Sequence, residues 1–206
     1  MLPLKDEKRC LLTKWIDDLI KFGCDKIIIA CSPATLICVN HINIANINEK
    51  IFIKNVGITA TMNDTIIIAL KDEVYETAIM AMPDTYVEGF NGVLCDMIRS
   101  SDNIVGTYLW NIRYDQRGKI GQCKTDNEKV CDIIDKDENC RYDFGWGVIV
   151  FKMDFMQYLL SKQLHPGYSL KNAIDNNIKI PYQICLGQYF DCGTVDGYMR
   201  YLCDNL

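Results

Sequence analysis

Apolar positions recur at helical spacing over 10–22, where Leu11, Leu12, Trp15, Ile16, Leu19 and Ile20 form one stripe and Gly23 follows as a stop signal. The run KIIIA at 26–30 then reads as a buried strand, with Ser32-Pro33 turning the chain away. A short helix is expected over 34–41, a strand over 50–55 (KIFIKN), and a helix over 62–70 after Gly57 opens a loop. The stretch 77–82 sets apolar and small residues side by side without polar alternation. That pattern predicts a strand buried on both faces, as in a parallel sheet flanked by helices. Pro83 ends it, because proline cannot donate to a strand ladder, and the chain turns through Asp84 and Thr85.

The second half continues with a helix over 89–99 and a strand over 103–112. A hairpin-like excursion follows from 118–123 and 129–134, then a strand over 144–151 (FGWGVIVF). Helices over 152–161 and 169–176, short strands over 179–184 and 188–190, and a closing helix over 195–203 complete the pattern. Alternating helix and strand in the first half predicts an α/β fold: a Rossmann-like, mostly parallel mixed sheet flanked by helices. No internal repeat, low-complexity segment or linker divides the chain, so residues 1–206 are expected to form a single domain.

Composition narrows the function classes. At 206 residues, 49% hydrophobic and 24% charged, the chain has an ordinary globular balance. Its net charge of −5, with basic residues scattered, argues against nonspecific nucleic-acid binding. The longest weakly polar run, 27–39, is too short to span a bilayer, so no membrane association is expected. No signal peptide is read at the N-terminus, where 5–9 carries both signs of charge and no apolar segment follows. Eleven cysteines without a C-x-x-C pair make neither a disulfide framework nor a zinc site, and only His41 and His165 are available as imidazole ligands. Reduced cysteines and a cytoplasmic setting are the expectation.

Candidate chemistry begins at Asp84. Ligands of open α/β sheets sit outside the carboxyl ends of the strands, where this aspartate falls; the competing reading is a turn aspartate capping a following helix. Two lookalikes carry less. Asp143-Phe144-Gly145 copies a kinase triplet without the loops that accompany it. Asp135-Lys136-Asp137 fits the Asp-x-Asp pattern of metal-dependent glycosyltransferases, yet it precedes the Gly-Trp-Gly strand instead of following a buried strand of a nucleotide-binding half. The three tryptophans are expected in the core, with Trp146, between two glycines, the one that could line a pocket.

Six stretches, in order, resemble the sugar-phosphate nucleotidyltransferases, in particular the glucose-1-phosphate thymidylyl- and uridylyltransferase-like branch. They are the N-terminal LPLKDEKRCLLTKWIDDLIKFGCDKIIIA, then VGITATMNDTIIIAL, AIMAMPDT, IIDKDENC, FGWGVIVF and QYFDCGTVDGYMRYL. The resemblance spans nearly the whole chain, with two departures. The family's first strand and glycine-rich phosphate loop have no counterpart, since Met1 falls just after them. The family's Glu-Lys-Pro motif stands here as Asp135-Lys136-Asp137.

The resemblance implies a reaction between a nucleoside triphosphate and a sugar 1-phosphate. The sugar phosphate oxygen attacks the α-phosphorus in line and pyrophosphate leaves, a step catalysed mainly by positioning and charge neutralisation. It implies Mg²⁺ on Asp84 and Asp191, Lys136 opposite the sugar's phosphate, Gly147 beside the sugar, and Gly57 and Thr59 near the base. It gives no role to Glu128, Asp143 or Thr194. Without the phosphate loop, the alternative is a catalytically silent relative that binds a sugar phosphate, a nucleotide or a protein in the same cleft. The apolar faces of the late helices would permit a homo-oligomer.

Overall fold

The computed structural model describes residues 2–5, 9–41, 48–161 and 165–204, and in its first half helix and strand alternate as the periodicity predicts. Helix α1 (Leu11–Lys21) leads into β1 (Ile27–Cys31), α2 (Pro33–His41), β2 (Ile51–Asn55), α3 (Met62–Leu70) and β3 (Ala78–Ala81). There follow β4 (Thr85–Val87), α4 (Val93–Arg99), β5 (Val105–Asn111), the hairpin β6 (Gly121–Asp126) and β7 (Lys129–Asp135), and β8 (Phe144–Phe151). The chain closes through α5 (Met156–Leu160), α6 (Pro166–Asp175), β9 (Tyr182–Ile184), β10 (Tyr189–Asp191) and α7 (Val195–Cys203).

Strand β8 is the centre of the main sheet. Its eight residues carry no charge, and seven of them are buried, as a strand covered on both faces requires. One edge pairs with β5; the other is shared, with β3 along Val148–Phe151 and β6 along Phe144–Gly145. The sheet order is β7-β6-β8-β5-β9, with β3 beside β8. Because β3, β5 and β6 all run antiparallel to β8 while β9 is parallel to β5, four of the six strands point one way. The expected mixed sheet is therefore present. Strands β1 and β2 form a separate parallel pair, and β4 and β10 a separate antiparallel pair.

Side chains alternate across the main sheet and meet a different helical layer on each side. Ile149 and Phe151 pack with Ile66 of α3, Leu159 of α5, and Leu170 and Ala173 of α6. Val148 and Val150 pack on the opposite face with Leu94, Cys95 and Ile98 of α4 and Trp15 of α1. The next residue of α1, Ile16, belongs to a third cluster with Ile27, Ile29 and Ile51, so one helix ties the β1–β2 pair to the main body.

Several expected elements are altered. Strand β3, expected to be buried on both faces as in a parallel sheet, is partly buried and pairs antiparallel with β8, and the strand expected over 179–184 is confined to Tyr182–Ile184. The turn at 83–85 is shorter, because Thr85 already opens β4, so Asp84 caps no helix. The helix expected over 89–99 begins at Val93, where Asn91 Oδ1 accepts the Val93 N–H at 3.0 Å. The helix over 152–161 starts with a 3₁₀ turn, Met153–Phe155. Helix α6 begins at Pro166, earlier than 169, because His165 caps it and proline suits a first helical position. Among the described residues, no helix is long and apolar enough to cross a membrane.

Candidate functional site

The site forms where β3 ends and the chain crosses to the small β4–β10 ladder. Asp191, the last residue of β10, lies opposite Thr85, so Asp84 and Asp191 sit at the same corner. The Cys192 N–H donates to the Asp84 carbonyl at 2.9 Å, and the Thr85 hydroxyl closes the turn onto the Met82 carbonyl at 2.7 Å. On the other side, the Trp15 indole of α1 donates to the Thr85 carbonyl at 2.9 Å. The corner is thus fixed largely through backbone groups.

Both carboxylates close around Gly193. A Cβ there would lie 2.7 Å from Asp84 Oδ2 and 3.1 Å from Asp191 Oδ1, so any larger residue would intrude between them. The Gly193 N–H donates to Asp191 Oδ1 at 2.9 Å. Asp84 keeps a solvent-exposed edge, yet partial burial of its carboxyl raises its pKa above the ordinary 3.8; a bond to its own backbone opposes this, and the Asp191 charge adds to it. Desolvation and a like charge both disfavour ionised Asp84, and a bound cation would relieve both. Burial pushes the neighbouring Cys192 thiol up to about 11, so it is a neutral neighbour and not a thiolate ligand.

Among the described residues, no group of three His, Cys, Asp or Glu side chains is placed to hold a metal. The corner offers two hard carboxylates and leaves the rest of a coordination shell to ligand oxygens and water. That donor set fits Mg²⁺, which is commonly held by one or two carboxylates together with substrate phosphates.

Gly147 approaches this corner through Tyr189. The β5–β8 register passes from Tyr108↔Val148 to Leu109↔Trp146, so Gly147 is the extra residue of a bulge. The bulge turns Trp146 onto the α6 side of the sheet, where it is 6% exposed, while Gly147 faces the opposite layer. A Cβ on Gly147 would lie 2.5 Å from Tyr189 Cε2, so the close approach made here is by an aromatic ring of β10. Tyr189, two residues before Asp191, has its phenol pKa driven upward by burial and by the Asp191 and Asp84 charges, and it stays protonated.

The remaining sequence candidates are dispersed. Lys136 follows β7 in a left-handed conformation (φ +50°) with an exposed side chain. It has no hydrogen bond or ion pair among the described residues. Gly57 (φ +72°) and Thr59 lie in the β2–α3 loop and make local bonds, Gly57 N–H to Asn55 Oδ1 at 3.0 Å and the Thr59 hydroxyl with that of Thr65 at 2.6 Å. The structure therefore brings Asp84 and Asp191 together, connects Gly147 to them through Tyr189, and leaves Gly57 and Thr59 in local contacts. Sequence reasoning overlooked Gly193, although the Asp-x-Gly spacing after β10 contained it. It also gave no role to Thr194, whose hydroxyl accepts the Gly197 N–H at 3.1 Å as the cap of α7.

No protein-family model and no curated protein matches this sequence. Solved structures do match it, and the fold is that of the sugar-phosphate nucleotidyltransferases. A UDP-glucose pyrophosphorylase complexed with UDP-glucose aligns with a TM-score of 0.76 at 16% identity, over 100% of this chain and 89% of the other. A putative glucose-1-phosphate thymidylyltransferase from Bacillus anthracis, in complex with a sucrose, aligns with a TM-score of 0.80 at 10% identity, over 94% and 81%. A UTP-bound UGPase from Acinetobacter baumannii aligns with a TM-score of 0.71 at 16% identity, over 96% and 82%.

Proposed function

We propose that the protein is a sugar-1-phosphate nucleotidyltransferase, forming a nucleoside diphosphate sugar and pyrophosphate from a nucleoside triphosphate and a sugar 1-phosphate. The observation that carries this reading is the convergence of Asp84 and Asp191 on Gly193 at the carboxyl end of β3, within the fold shared with the solved nucleotidyltransferases. The two aspartates would hold Mg²⁺, which when bound neutralises charge on the phosphate oxygens. Lys136 would oppose the charge of the sugar phosphate. The Tyr189 ring, seated on the Gly147 bulge and close enough to feel both carboxylate charges, would wall one side of the corner. Gly57 and Thr59, on the β2–α3 loop, would lie near the base.

The reaction asks little covalent chemistry of the chain. In-line attack at the α-phosphorus depends on aligning the two substrates and spreading charge, which rigid backbone and fixed carboxylates supply. The test is pyrophosphate release by the purified chain with UTP or dTTP, glucose 1-phosphate and Mg²⁺. Release that requires all three components is the expected result. Folded protein that gives no release with either nucleotide would overturn the reading.

A further inference from the structure

The turn that carries Lys136 is held more firmly than an exposed turn needs. Asp135, the last residue of β7, accepts a hydrogen bond on Oδ2 from His165 Nε2 at 3.0 Å, with both side chains largely buried. The Asp137 carbonyl accepts from Nε2 of Gln122, a fully buried side chain, at 2.8 Å. The Glu138 carbonyl accepts from Arg141 at 2.6 Å, and the Glu138 side chain lies over Gly118 where a Cβ would collide with it. The residues flanking Lys136 in the turn are anchored. Lys136 is exposed, as are Glu138 and Asn139, and its left-handed backbone conformation is one that non-glycine residues rarely adopt without a compensating constraint.

His165 is itself fixed in ring orientation and proton position. Its Nδ1 accepts the Gly167 N–H at 3.1 Å as the cap of α6, so Nδ1 carries no proton. The ring proton is therefore on Nε2 and is donated to Asp135. The imidazole packs between Trp146 (centroids 6.3 Å apart, planes at 21°) and Tyr168 (4.4 Å, 38°). Trp146 reaches this side of the sheet only because of the Gly147 bulge, and Gly121, directly opposite Asp135, makes room for its indole nitrogen.

We infer that His165 is a positioning residue that acts through Asp135 to hold Lys136 where it meets the anionic substrate. The inference deepens the proposed function and rests on it for the role of Lys136. A cation on a preset backbone loses less freedom on binding a phosphate than one on a loose loop, and this is the advantage the Asp135–His165 pair would confer.

The test uses His165→Asn, since asparagine can still cap α6 but is too short to reach Asp135. The Michaelis constant for glucose 1-phosphate should rise about tenfold, as misplacement of one charged contact does, with that for the nucleotide unchanged, while the lost ring packing lowers the melting temperature by a few degrees. Asp135→Ala should give the same rise, and the double variant no further rise. A rise with Lys136→Met but none with His165→Asn would overturn the positioning inference while leaving the function intact. A readout independent of activity is amide hydrogen exchange in the full chain. In His165→Asn, exchange at residues 136–138 should accelerate about tenfold while the β6–β7 hairpin turn at 127–128 is unaffected. Unchanged exchange at 136–138 would overturn the inference whether or not the chain turns over. Should His165→Asn unfold the chain, Asp135→Ala carries the same exchange measurement, with the same outcomes on either side.

Discussion

At the β4–β10 corner two like charges are brought together, and at the turn after β7 a single unlike charge stands alone. Asp84 and Asp191 converge on Gly193, and burial together with the Asp191 charge makes ionised Asp84 less favourable than in water. Lys136 is exposed, with no paired group among the described residues, on a backbone fixed by its neighbours. On the proposed function, the first corner would take a cation and the second turn would offer one to an anion. The proposed function would join the two regions through a single ligand, a metal ion with phosphates.

The largest expected effect tests the corner. Asp84→Asn and Asp191→Asn should each lower turnover at saturating Mg²⁺ by at least about 100-fold, the scale seen when one oriented group of an electrostatic site is removed. Pyrophosphate release at several Mg²⁺ concentrations checks this. Full turnover in either variant would break the pairing of the two carboxylates.

Next comes the link between the regions, the bulge at Gly147. Gly147→Ala would drive a methyl group into the Tyr189 ring, costing about 1–3 kcal/mol as overpacking usually does. At about 2–4 °C per kcal/mol for a chain of this size, thermal unfolding should fall by several degrees. A wild-type melting temperature would mean that Tyr189 swings away freely and does not wall the corner.

These contrasts also mark what could be read in the sequence. The β8 run FGWGVIVF and the α1 stripe are long, one-signal patterns, and both fall within a residue of their expected limits. Asp84 and Asp191 were legible as a pair only through the family resemblance, because the contact between them spans two short strands. Strand β4 was missed for the same physical reason: three residues stabilised by a distant partner leave no periodicity of their own. The bulge was equally hidden. Strict alternation from Val148 would put Trp146 on the α4 face, and only the register shift at Gly147 sends it to the α6 face beside His165. His165 entered the sequence reading only as one of two histidines, too few to suggest a metal site, and its role as a helix cap bonded to a carboxylate left no local signal.

A smaller effect sharpens the role of the turn. Lys136→Met should raise the Michaelis constant for glucose 1-phosphate about tenfold, equivalent to losing one charge-assisted hydrogen bond of roughly 1.5 kcal/mol, with little change for the nucleotide. Its melting temperature should match wild type, since the side chain is exposed. A larger rise for the nucleotide would place Lys136 nearer the triphosphate than the sugar phosphate.

The finest distinction is one of sign, in the metal-free protein. Asp84 has its folded-state pKa raised above the ordinary 3.8, first by burial and then by Asp191. The folded state therefore keeps a proton that the unfolded chain has already released. Its contribution to stability is fully present below the unfolded value and is lost as pH rises through the folded value. Asparagine cannot ionise, so Asp84→Asn should melt slightly above wild type at pH 7 without Mg²⁺, and the difference should shrink as pH falls toward 4. Adding Mg²⁺ should reverse the order, because it binds and stabilises only the intact pair; about 2.7 kcal/mol is expected at a hundredfold excess over the dissociation constant. Lys136→Met should show neither the pH trend nor any loss of the Mg²⁺ response. Melting curves between pH 4 and 8, with and without Mg²⁺, read all of these. An Asp84→Asn protein less stable than wild type at neutral pH without metal would mean that the carboxylate is satisfied where it stands, and that the corner holds no unmet demand for a cation.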